Sequence, residues 1–286
     1  MRTVRTVAEL RAAVSASRSS RPDGIVGLVP TMGALHEGHL SLLRRARADC
    51  DTVVMSLFVN PAQFATGEDL EAYPRDERHD GALAAEEGVD LLFAPPAEEV
   101  YPPGFDTGVE VGTITEVLEG DPAQRGAGHF RGVATVVLKL FNMVGPDVAY
   151  FGQKDAQQAL VIRKLVRDLD VPVRIEVGPT VREPDGLAMS SRNAYLSHAE
   201  RERAAALNRA LRAAQHAVDA GERGAGRVLA AARAELEASG VEPEYLELRS
   251  AHDLSPVERV NGSTLLAVAA QIGRARLIDN AILGAK

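Results

Sequence analysis

Apolar runs alternate with amphipathic helical segments along the first part of the chain, and this alternation constrains the fold more than any other feature. Residues 25–29 and 52–59 are apolar runs that end at breaker residues, and Leu40, Leu43 and Ala46 recur between them at helical spacing. A strand, a helix and a second strand within about 35 residues form a βαβ unit with parallel strands. The sequence therefore predicts a parallel sheet.

The same alternation continues to residue 177. We predict further helices near residues 77–87, 133–144 and 155–169, and further strands at residues 89–93, 148–151 and 173–177. Repeated alternation of this kind is typical of a doubly wound α/β domain. Its ligands bind beyond the carboxyl ends of the strands.

The composition changes after about residue 180. Ser197 and Glu200 form a capping-box pattern that opens an Ala- and Arg-rich helix, which Gly221 closes. A second helix is predicted to end near residue 240, and three short strands follow at residues 245–248, 264–269 and 276–282. We therefore expect two domains, an α/β domain over residues 1–180 and a smaller α+β domain over residues 181–286.

Composition and charge exclude several classes of protein. Apolar residues make up 45% of the 286 residues and charged residues 25%, which is normal for a globular protein and excludes disordered and fibrous chains. The net charge of −8 argues against a nucleic-acid partner. No apolar stretch is long enough to be a signal peptide or to span a membrane. Cys50 is the only cysteine, so we expect a cytoplasmic protein in which this residue packs at a helix end.

The most informative motif is Pro-Thr-Met-Gly-Ala-Leu-His-Glu-Gly-His at residues 30–39, where the first predicted strand turns into a helix. A helix N-terminus offers unpaired N–H groups and a partial positive charge to a phosphate. His36 and His39 share one face of a helical turn, so they are candidates for contacting phosphate and stabilising its developing charge. Zinc ligation is one alternative, although the metalloprotease motif spaces its histidines four apart. Ordinary surface histidines are the other.

Three further segments carry candidate residues, each with a structural alternative. Lys154, one of four lysines, follows a predicted strand and offers a point charge to phosphate, or it simply starts a solvated helix. The segment 189–193, Met-Ser-Ser-Arg-Asn, offers hydroxyl and guanidinium donors, or it is a plain loop. Asn60 and Gln63 offer amides to a small polar substrate, or they form a turn beside a buried Phe64.

Taken together, these segments resemble the pantothenate synthetase (pantoate–β-alanine ligase) family from Val26 to about Ile282. The match includes residues 30–40, 58–64, 73–75, 128–133, 151–155 and 182–193. The resemblance implies a Rossmann-like nucleotidyltransferase domain, and its His-x-Gly-His element corresponds to residues 36–39. It also implies a homodimer that uses ATP and Mg²⁺ to join pantoate to β-alanine. In that reaction a pantoyl adenylate forms with release of pyrophosphate, and the amine then displaces AMP.

The resemblance also implies roles for individual residues. His39 is the expected proton donor and His36 its phosphate-contacting neighbour, while Lys154, Ser190, Ser191 and Arg192 bind phosphates as catalytic groups. Pantoate is assigned to Gln63 and Gln158, with Asn60 as a weaker candidate, and magnesium to Asp80. The ATP site is expected to comprise Met32, Gly33, Ala34, Leu35, His36, Glu37, Gly38, His39, Gly152, Gln153, Lys154, Asp155, Val181, Met189, Ser190, Ser191 and Arg192.

Two positions depart from the family pattern. Gln153 stands where the family usually has Glu, which puts in doubt any role that needs a charge there. Gly126 stands where the family commonly has Arg, with Arg125 one position earlier. Two other functions are consistent with a nucleotide site of this kind. One is a nucleotidyltransferase acting on a different small acid or phosphate, and the other is a nucleotide-binding regulator without catalysis.

Overall fold

The computed structural model describes residues 1–64, 70–71 and 73–284. Within these ranges the chain forms a six-stranded parallel sheet with helices on both faces and a separate three-stranded antiparallel sheet. The predicted α/β class with a smaller C-terminal α+β part is confirmed.

The strands and helices have the following bounds. The strands are β1 (Arg2–Val4), β2 (Val26–Thr31), β3 (Thr52–Leu57), β4 (Leu91–Phe93), β5 (Val148–Gly152), β6 (Arg174–Gly178), β7 (Tyr245–Ser250), β8 (Thr264–Ile272) and β9 (Ala275–Leu283). The α-helices are α1 (Val7–Ser20), α2 (Glu37–Asp49), α3 (Glu77–Glu86), α4 (Ala97–Val100), α5 (Ala127–Val144), α6 (Ala156–Asp168), α7 (His198–Ala204), α8 (Ala206–Asp219) and α9 (Ala225–Ala238).

The strand order of the large sheet, β1-β4-β3-β2-β5-β6, reverses direction next to β2. From β2 the chain adds β3 and β4 on one side, and it then returns to add β5 and β6 on the other. Such a reversal opens a crevice at the carboxyl ends of the two strands that flank it, here β2 and β5. The segments after β2 and after β5 therefore meet at one edge of the sheet.

Both faces of the large sheet are buried. Leu28 of β2 and Val54 of β3 pack in one apolar cluster with α1 and α5, whereas Val29 and Met55 pack in another cluster with α2. Parallel strands that are covered on both faces need continuous apolar runs rather than alternation. The runs seen in the sequence have this cause.

The smaller sheet, in the order β7-β8-β9, is also covered on both faces. Leu266 and Val268 of β8 pack with α8 and α9. Leu265 and Ala267, on the opposite face, share a cluster with Phe130 of α5 and so contact the N-terminal part of the chain. The predicted boundary at residues 180 and 181 falls between β6 and α7 and stays a prediction.

The structure departs from the sequence-based assignment in several places, among them α4, which is not predicted, and α5, which begins at Ala127 rather than near residue 133. Residues 2–20 form β1 and α1, neither of which is predicted from the sequence, and the buried residues of α1 are Leu10, Ala13 and Val14. The long helix after the confirmed Ser197–Glu200 capping box is divided at Ala205 into α7 and α8.

Cys50 confirms its predicted place at a helix end. It follows the last residue of α2 and is buried, with its Sγ 3.3 Å from the Tyr150 hydroxyl. Among residues 1–64, 70–71 and 73–284, every helix is too short or too polar to cross a membrane.

Candidate active site

A cavity of about 240 Å³ lies at the crevice between the carboxyl ends of β2 and β5. Four segments that are distant in sequence line it. The predicted site residues in its lining are Met32, His36, Gly38, His39, Asn60, Gln63, Gly152, Lys154, Asp155, Gln158, Val181, Met189, Ser190, Ser191 and Arg192. One wall is apolar and consists of Val133, Val136, Val137 and Leu140 of α5, which sequence reasoning did not assign to the site. Polar groups thus converge beside an apolar surface, as in small-molecule sites.

The histidine segment, residues 32–39, orders its two imidazoles through its own backbone. His36 Nδ1 accepts a hydrogen bond from the Gly38 amide (3.1 Å), and His39 Nδ1 accepts one from the His36 amide (3.3 Å). The ring centroids are 4.1 Å apart. Because each Nδ1 accepts, each neutral ring carries its proton on Nε2.

Burial keeps both rings neutral near pH 7. Burial and the Lys154 charge lower the pKa of His36 to about 4, against the opposing influence of Asp155 and Glu183. Burial lowers the pKa of His39 to about 3, and the neighbouring His36 and Lys154 add to this effect. The pair therefore offers two neutral Nε2–H donors to an anion rather than two imidazolium charges.

The turn before these histidines is held by Asp80. Gly33 and Ala34 have positive φ values (89° and 51°), and the Asp80 carboxylate accepts from the amides of Ala34 (3.0 Å) and Leu35 (2.8 Å). Gly33, Ala34 and Leu35 consequently lie outside the cavity lining, as does Glu37, which pairs with Arg44. Their roles in ATP binding stay predictions.

Asp80 is 1% exposed, and both of its oxygens are engaged by backbone amides. Throughout the described ranges, no group of three or more His, Cys, Asp or Glu side chains is arranged to hold a metal ion. The magnesium role of Asp80 stays a prediction that this geometry does not favour.

The lysine segment, residues 152–155, consists of the last residue of β5 and a 3-10 turn at Gln153–Asp155 that leads into α6. Lys154 lies half-buried in the cavity wall, and its Nζ is 3.9 Å from Asp155 Oδ1, too far for a hydrogen bond. Gln153 lies outside the lining because its Nε2 donates to Asn280 Oδ1 (2.9 Å). An amide at position 153 therefore supplies a donor that a carboxylate lacks, which gives the Gln153 departure a structural role.

The Ser-Ser-Arg segment, residues 189–192, follows a small hairpin in which Arg182 pairs with Ala188. The Met189 amide donates to the Val181 carbonyl (3.0 Å), and Ser190 Oγ accepts from the Arg192 amide (3.3 Å). Asn193 Nδ2 donates to Glu183 Oε1 (2.7 Å), which closes the loop from behind. These contacts bring the two hydroxyls and the guanidinium to the cavity wall.

Asn60 is 1% exposed and its amide is used within the protein. Its Nδ2 donates to Gln63 Oε1 (3.0 Å) and to the Gly132 carbonyl (3.2 Å), and its Oδ1 accepts from the Tyr101 hydroxyl (2.7 Å). Gln63 Nε2 approaches Met32 Sδ at 3.2 Å. This geometry favours a positioning role for Asn60, and its contact with pantoate stays a prediction.

An arginine reaches the site despite the Gly126 departure. Arg125 Nη2 donates to the Gln63 carbonyl (3.4 Å), and its Nη1 is 3.2 Å from His129 Nε2. His129 Nδ1 is 2.8 Å from the same Gln63 carbonyl, so both side chains contact the Gln63 backbone. Sequence reasoning from residue types missed His129, although the Gly-His-Phe motif contained it.

The sequence matches one family over almost its whole length. The sequence profile described as Pantoate-beta-alanine ligase matches residues 2–282. Pantothenate synthetase of Roseiflexus castenholzii is 54% identical over 286 residues, which is 100% of both chains. Pantothenate synthetase of Cereibacter sphaeroides is 56% identical over 278 residues, covering 97% of this chain and 98% of the relative.

Solved structures are similar over the same length. The crystal structure of pantothenate synthetase from Thermus thermophilus has a TM-score of 0.92 and 49% identity, covering 99% of both chains. The pantoate-beta-alanine ligase of Francisella tularensis has a TM-score of 0.80 and 33% identity over 99% of this chain and 97% of that one. Its crystal structure is a complex with beta-gamma ATP and beta-alanine.

Proposed function

Because the chain belongs to the pantoate–beta-alanine ligase family, we propose that it joins pantoate to β-alanine at the cavity between β2 and β5. A pantoate carboxylate oxygen attacks the α-phosphate of ATP, giving pantoyl adenylate and pyrophosphate. The β-alanine amine then attacks the acyl carbon, so AMP leaves and pantothenate forms. Adenylation is needed because a free carboxylate is a poor acyl donor.

The observation that carries this proposal is the pair of neutral histidines facing Lys154 and the Ser-Ser-Arg segment. Negative charge develops on the α-phosphate oxygens and on the leaving pyrophosphate. Fixed donors aimed at developing charge lower the barrier most when they need no reorganisation during the reaction. His36 and His39 meet this condition because backbone amides hold their Nδ1 atoms. His39, with its neutral Nε2–H, acts as the donor that the family resemblance assigns to it.

The remaining lining residues divide between the substrates. Lys154, Ser190, Ser191 and Arg192 bind the phosphates, and the apolar wall of α5 receives the methyl groups of pantoate. Gln63 and Gln158 bind its hydroxyl and carboxylate groups. Residues 181–286 cover the site, since the Ser-Ser-Arg segment reaches the cavity from that side of the predicted boundary.

Magnesium enters as the counter-ion of ATP. Protein-bound Mg²⁺ is commonly held by one or two carboxylates together with substrate phosphates. The described residues contain no group of three or more His, Cys, Asp or Glu side chains that could hold a metal ion, but a site completed by ATP phosphates needs only one or two carboxylates, for which Asp80 stays the predicted candidate. The homodimer and the cytoplasmic location are further parts of this proposal, and sedimentation of the purified protein tests the first of them.

One assay separates the ligase from the alternatives. The protein is incubated with ATP, Mg²⁺, pantoate and labelled pyrophosphate, and β-alanine is added afterwards. The ligase gives pantoate-dependent exchange of label into ATP, followed by AMP and pantothenate. A nucleotidyltransferase for another acid gives exchange only with that acid, and a regulator gives none. Absence of pantoate-dependent exchange contradicts the proposal.

Gln63→Ala tests the assignment of the substrates. We expect weaker use of pantoate with ATP binding largely retained, because Gln63 lies on the β3 side of the cavity while the phosphate groups lie on the other side. The measurement is the KM for pantoate together with the Kd for ATP. Equal losses for both substrates count against this division.

A further inference from the structure

Asn280 lies within β9 and is 6% exposed, although its side chain is polar. Its Nδ2 donates to the carbonyl oxygens of Gln153 (3.0 Å) and Lys154 (2.9 Å). Its Oδ1 accepts from Gln153 Nε2 (2.9 Å). One side-chain amide thus makes three hydrogen bonds to the lysine segment, from a strand more than a hundred residues away.

The lysine segment has no side-chain cap of its own. Gly152, before the 3-10 turn, has no side chain to cap it, and the Asp155 side chain, before α6, makes no capping hydrogen bond. The two carbonyls that Asn280 engages belong to the turn that sets the Cα position of Lys154. A buried and fully bonded amide restrains its partners strongly, because leaving it unpaired is costly.

Asp279, the preceding residue of β9, binds the hairpin that leads to the Ser-Ser-Arg segment. It is 3% exposed, and its carboxylate accepts from Arg182 Nη1 (2.6 Å) and Nη2 (3.0 Å). Arg182 Nη1 also donates to the Gly186 carbonyl (3.1 Å) across the hairpin that leads to Ser190. A two-pronged Arg–carboxylate pair fixes orientation as well as distance.

Consecutive residues of a strand point to opposite faces, so a single strand can reach both segments. The position of β9 is itself fixed. Asp279 and Asn280 pair with Val268 and Ala267 of β8, and Arg276 donates to both oxygens of Glu119 (2.7 and 2.9 Å). Asp279 and Asn280 do not line the 240 Å³ cavity, but both line a neighbouring cavity of about 360 Å³ that shares Lys154, Ser190 and Arg192 with it.

We propose that Asp279 and Asn280 are positioning residues that set the separation between Lys154 and the Ser-Ser-Arg segment. They thereby position these two segments to bind the β- and γ-phosphates of ATP. This inference rests on the proposed function, which assigns the phosphates to these segments, and it adds that these segments contact the β- and γ-phosphates. The lysine ammonium sits on a flexible stem, so its reach depends on where the backbone places the Cα atom. With this assignment, the two residues support the first half-reaction, in which pyrophosphate leaves.

The two half-reactions therefore respond differently to Asn280→Ala. We expect the rate of pantoate-dependent ATP–pyrophosphate exchange to fall on the order of 10-fold or more, as misplaced catalytic groups do. Aminolysis of supplied pantoyl adenylate, which has no β- or γ-phosphate, stays within about 2-fold of the original rate. The exchange rate of Asn280→Ser, which keeps one hydroxyl donor, should lie between those of the original protein and Asn280→Ala. Asp279→Asn should likewise slow the exchange reaction and spare aminolysis.

Asn142→Ala is the matched control, because Asn142 is exposed near the end of α5 and its side chain does not line the cavity. It should leave both half-reactions unchanged. Equal losses in the two half-reactions, or full exchange activity in a folded Asn280→Ala protein, overturn the proposal.

A binding measurement separates failure of this inference from failure of the proposed function. Calorimetric Kd values for ATP and AMP are compared in the original protein and in Asn280→Ala. We expect Asn280→Ala to lower the affinity for ATP and to leave the affinity for AMP unchanged, whichever acid the enzyme adenylates. An unchanged ratio of the two affinities overturns the inference even when the ligase assay succeeds.

Discussion

The histidine segment and the lysine segment occupy equivalent places, each following a strand that borders the crevice, yet they are held in different ways. The histidine segment orders itself, since its backbone amides fix both Nδ1 atoms within four residues. The lysine segment depends on Asn280, which belongs to the other sheet. One half of the site is therefore built locally and the other half by tertiary contact.

This difference predicts which substitutions disturb each half of the site. Substitutions that disturb the histidine segment act close to it in sequence, apart from Asp80, which clasps the preceding turn. Substitutions that disturb the lysine segment act through the packing of β9. Three substitutions and one pH dependence can test this contrast, in order of falling expected effect.

His39→Ala removes a self-ordered donor and should lower the adenylation rate by on the order of 10²–10³, the scale for losing one charge-stabilising donor. His39→Gln places an amide N–H near the former Nε2 and should recover part of the loss if hydrogen-bond donation is the main contribution. Pyrophosphate exchange measures both. An unchanged rate in folded His39→Ala protein removes His39 from the mechanism.

Asp80→Asn tests whether the histidine segment has one essential outside support. The amide keeps one acceptor and turns a donor toward the other backbone N–H, so the free energy of unfolding should fall by about 1.5–3 kcal/mol. Urea denaturation in the presence of EDTA measures this loss without magnesium. If Asp80 serves only as a metal ligand, the stability in EDTA does not change.

Gly132→Ala tests a third segment, residues 60–63, which also depends on contacts with residues distant in sequence. Asn60 bonds to the Gly132 carbonyl, and Arg125 and His129 contact the Gln63 carbonyl. A Cβ atom at Gly132 would lie 2.2 Å from the Ala62 carbonyl oxygen and 2.6 Å from the Gln63 amide. Overpacking of this kind costs about 1–3 kcal/mol, and the displaced turn should also raise the KM for pantoate. Gly128→Ala on the same helix meets nothing within 4 Å and is the control.

The last effect, which is the smallest within about one pH unit of neutrality, is a dependence of stability on pH to which the two buried histidines contribute. His36 and His39 stay neutral in the folded protein down to pH values of about 4 and 3, whereas in the unfolded chain they take up protons below about pH 6.5. The unfolded state therefore binds more protons, and stability falls as the pH is lowered from about 6.5 toward 4. A double variant, His36→Gln with His39→Gln, should show a shallower fall in urea unfolding, whereas His198→Gln at an exposed site should not.

Much of the fold was predictable because the apolar runs of β2, β3 and β5 and the stripe of α2 are local patterns. The first twenty residues were not, because the stripe of α1 is short and its Thr6–Glu9 capping box is a weak signal by itself. In the site, the sequence motifs identified the histidine segment, the Asn60 and Gln63 amides, the lysine segment and the Ser-Ser-Arg segment, whereas reasoning from residue types missed His129. They did not separate residues that face the cavity from residues that support it, as Glu37, Asp80 and Gln153 illustrate.

The amino-acid sequence by itself determined the parallel sheet, the strand-to-helix turns that carry the motifs, and the local ordering of His36 and His39. These depend on periodicity and on hydrogen bonds between near neighbours in the chain. Only the tertiary structure decided how Lys154 and the Ser-Ser-Arg segment are held relative to each other. The contacts that hold them are made by Asp279 and Asn280. A contact between residues about a hundred positions apart produces no periodic pattern in the sequence, because it forms only when the two sheets pack together.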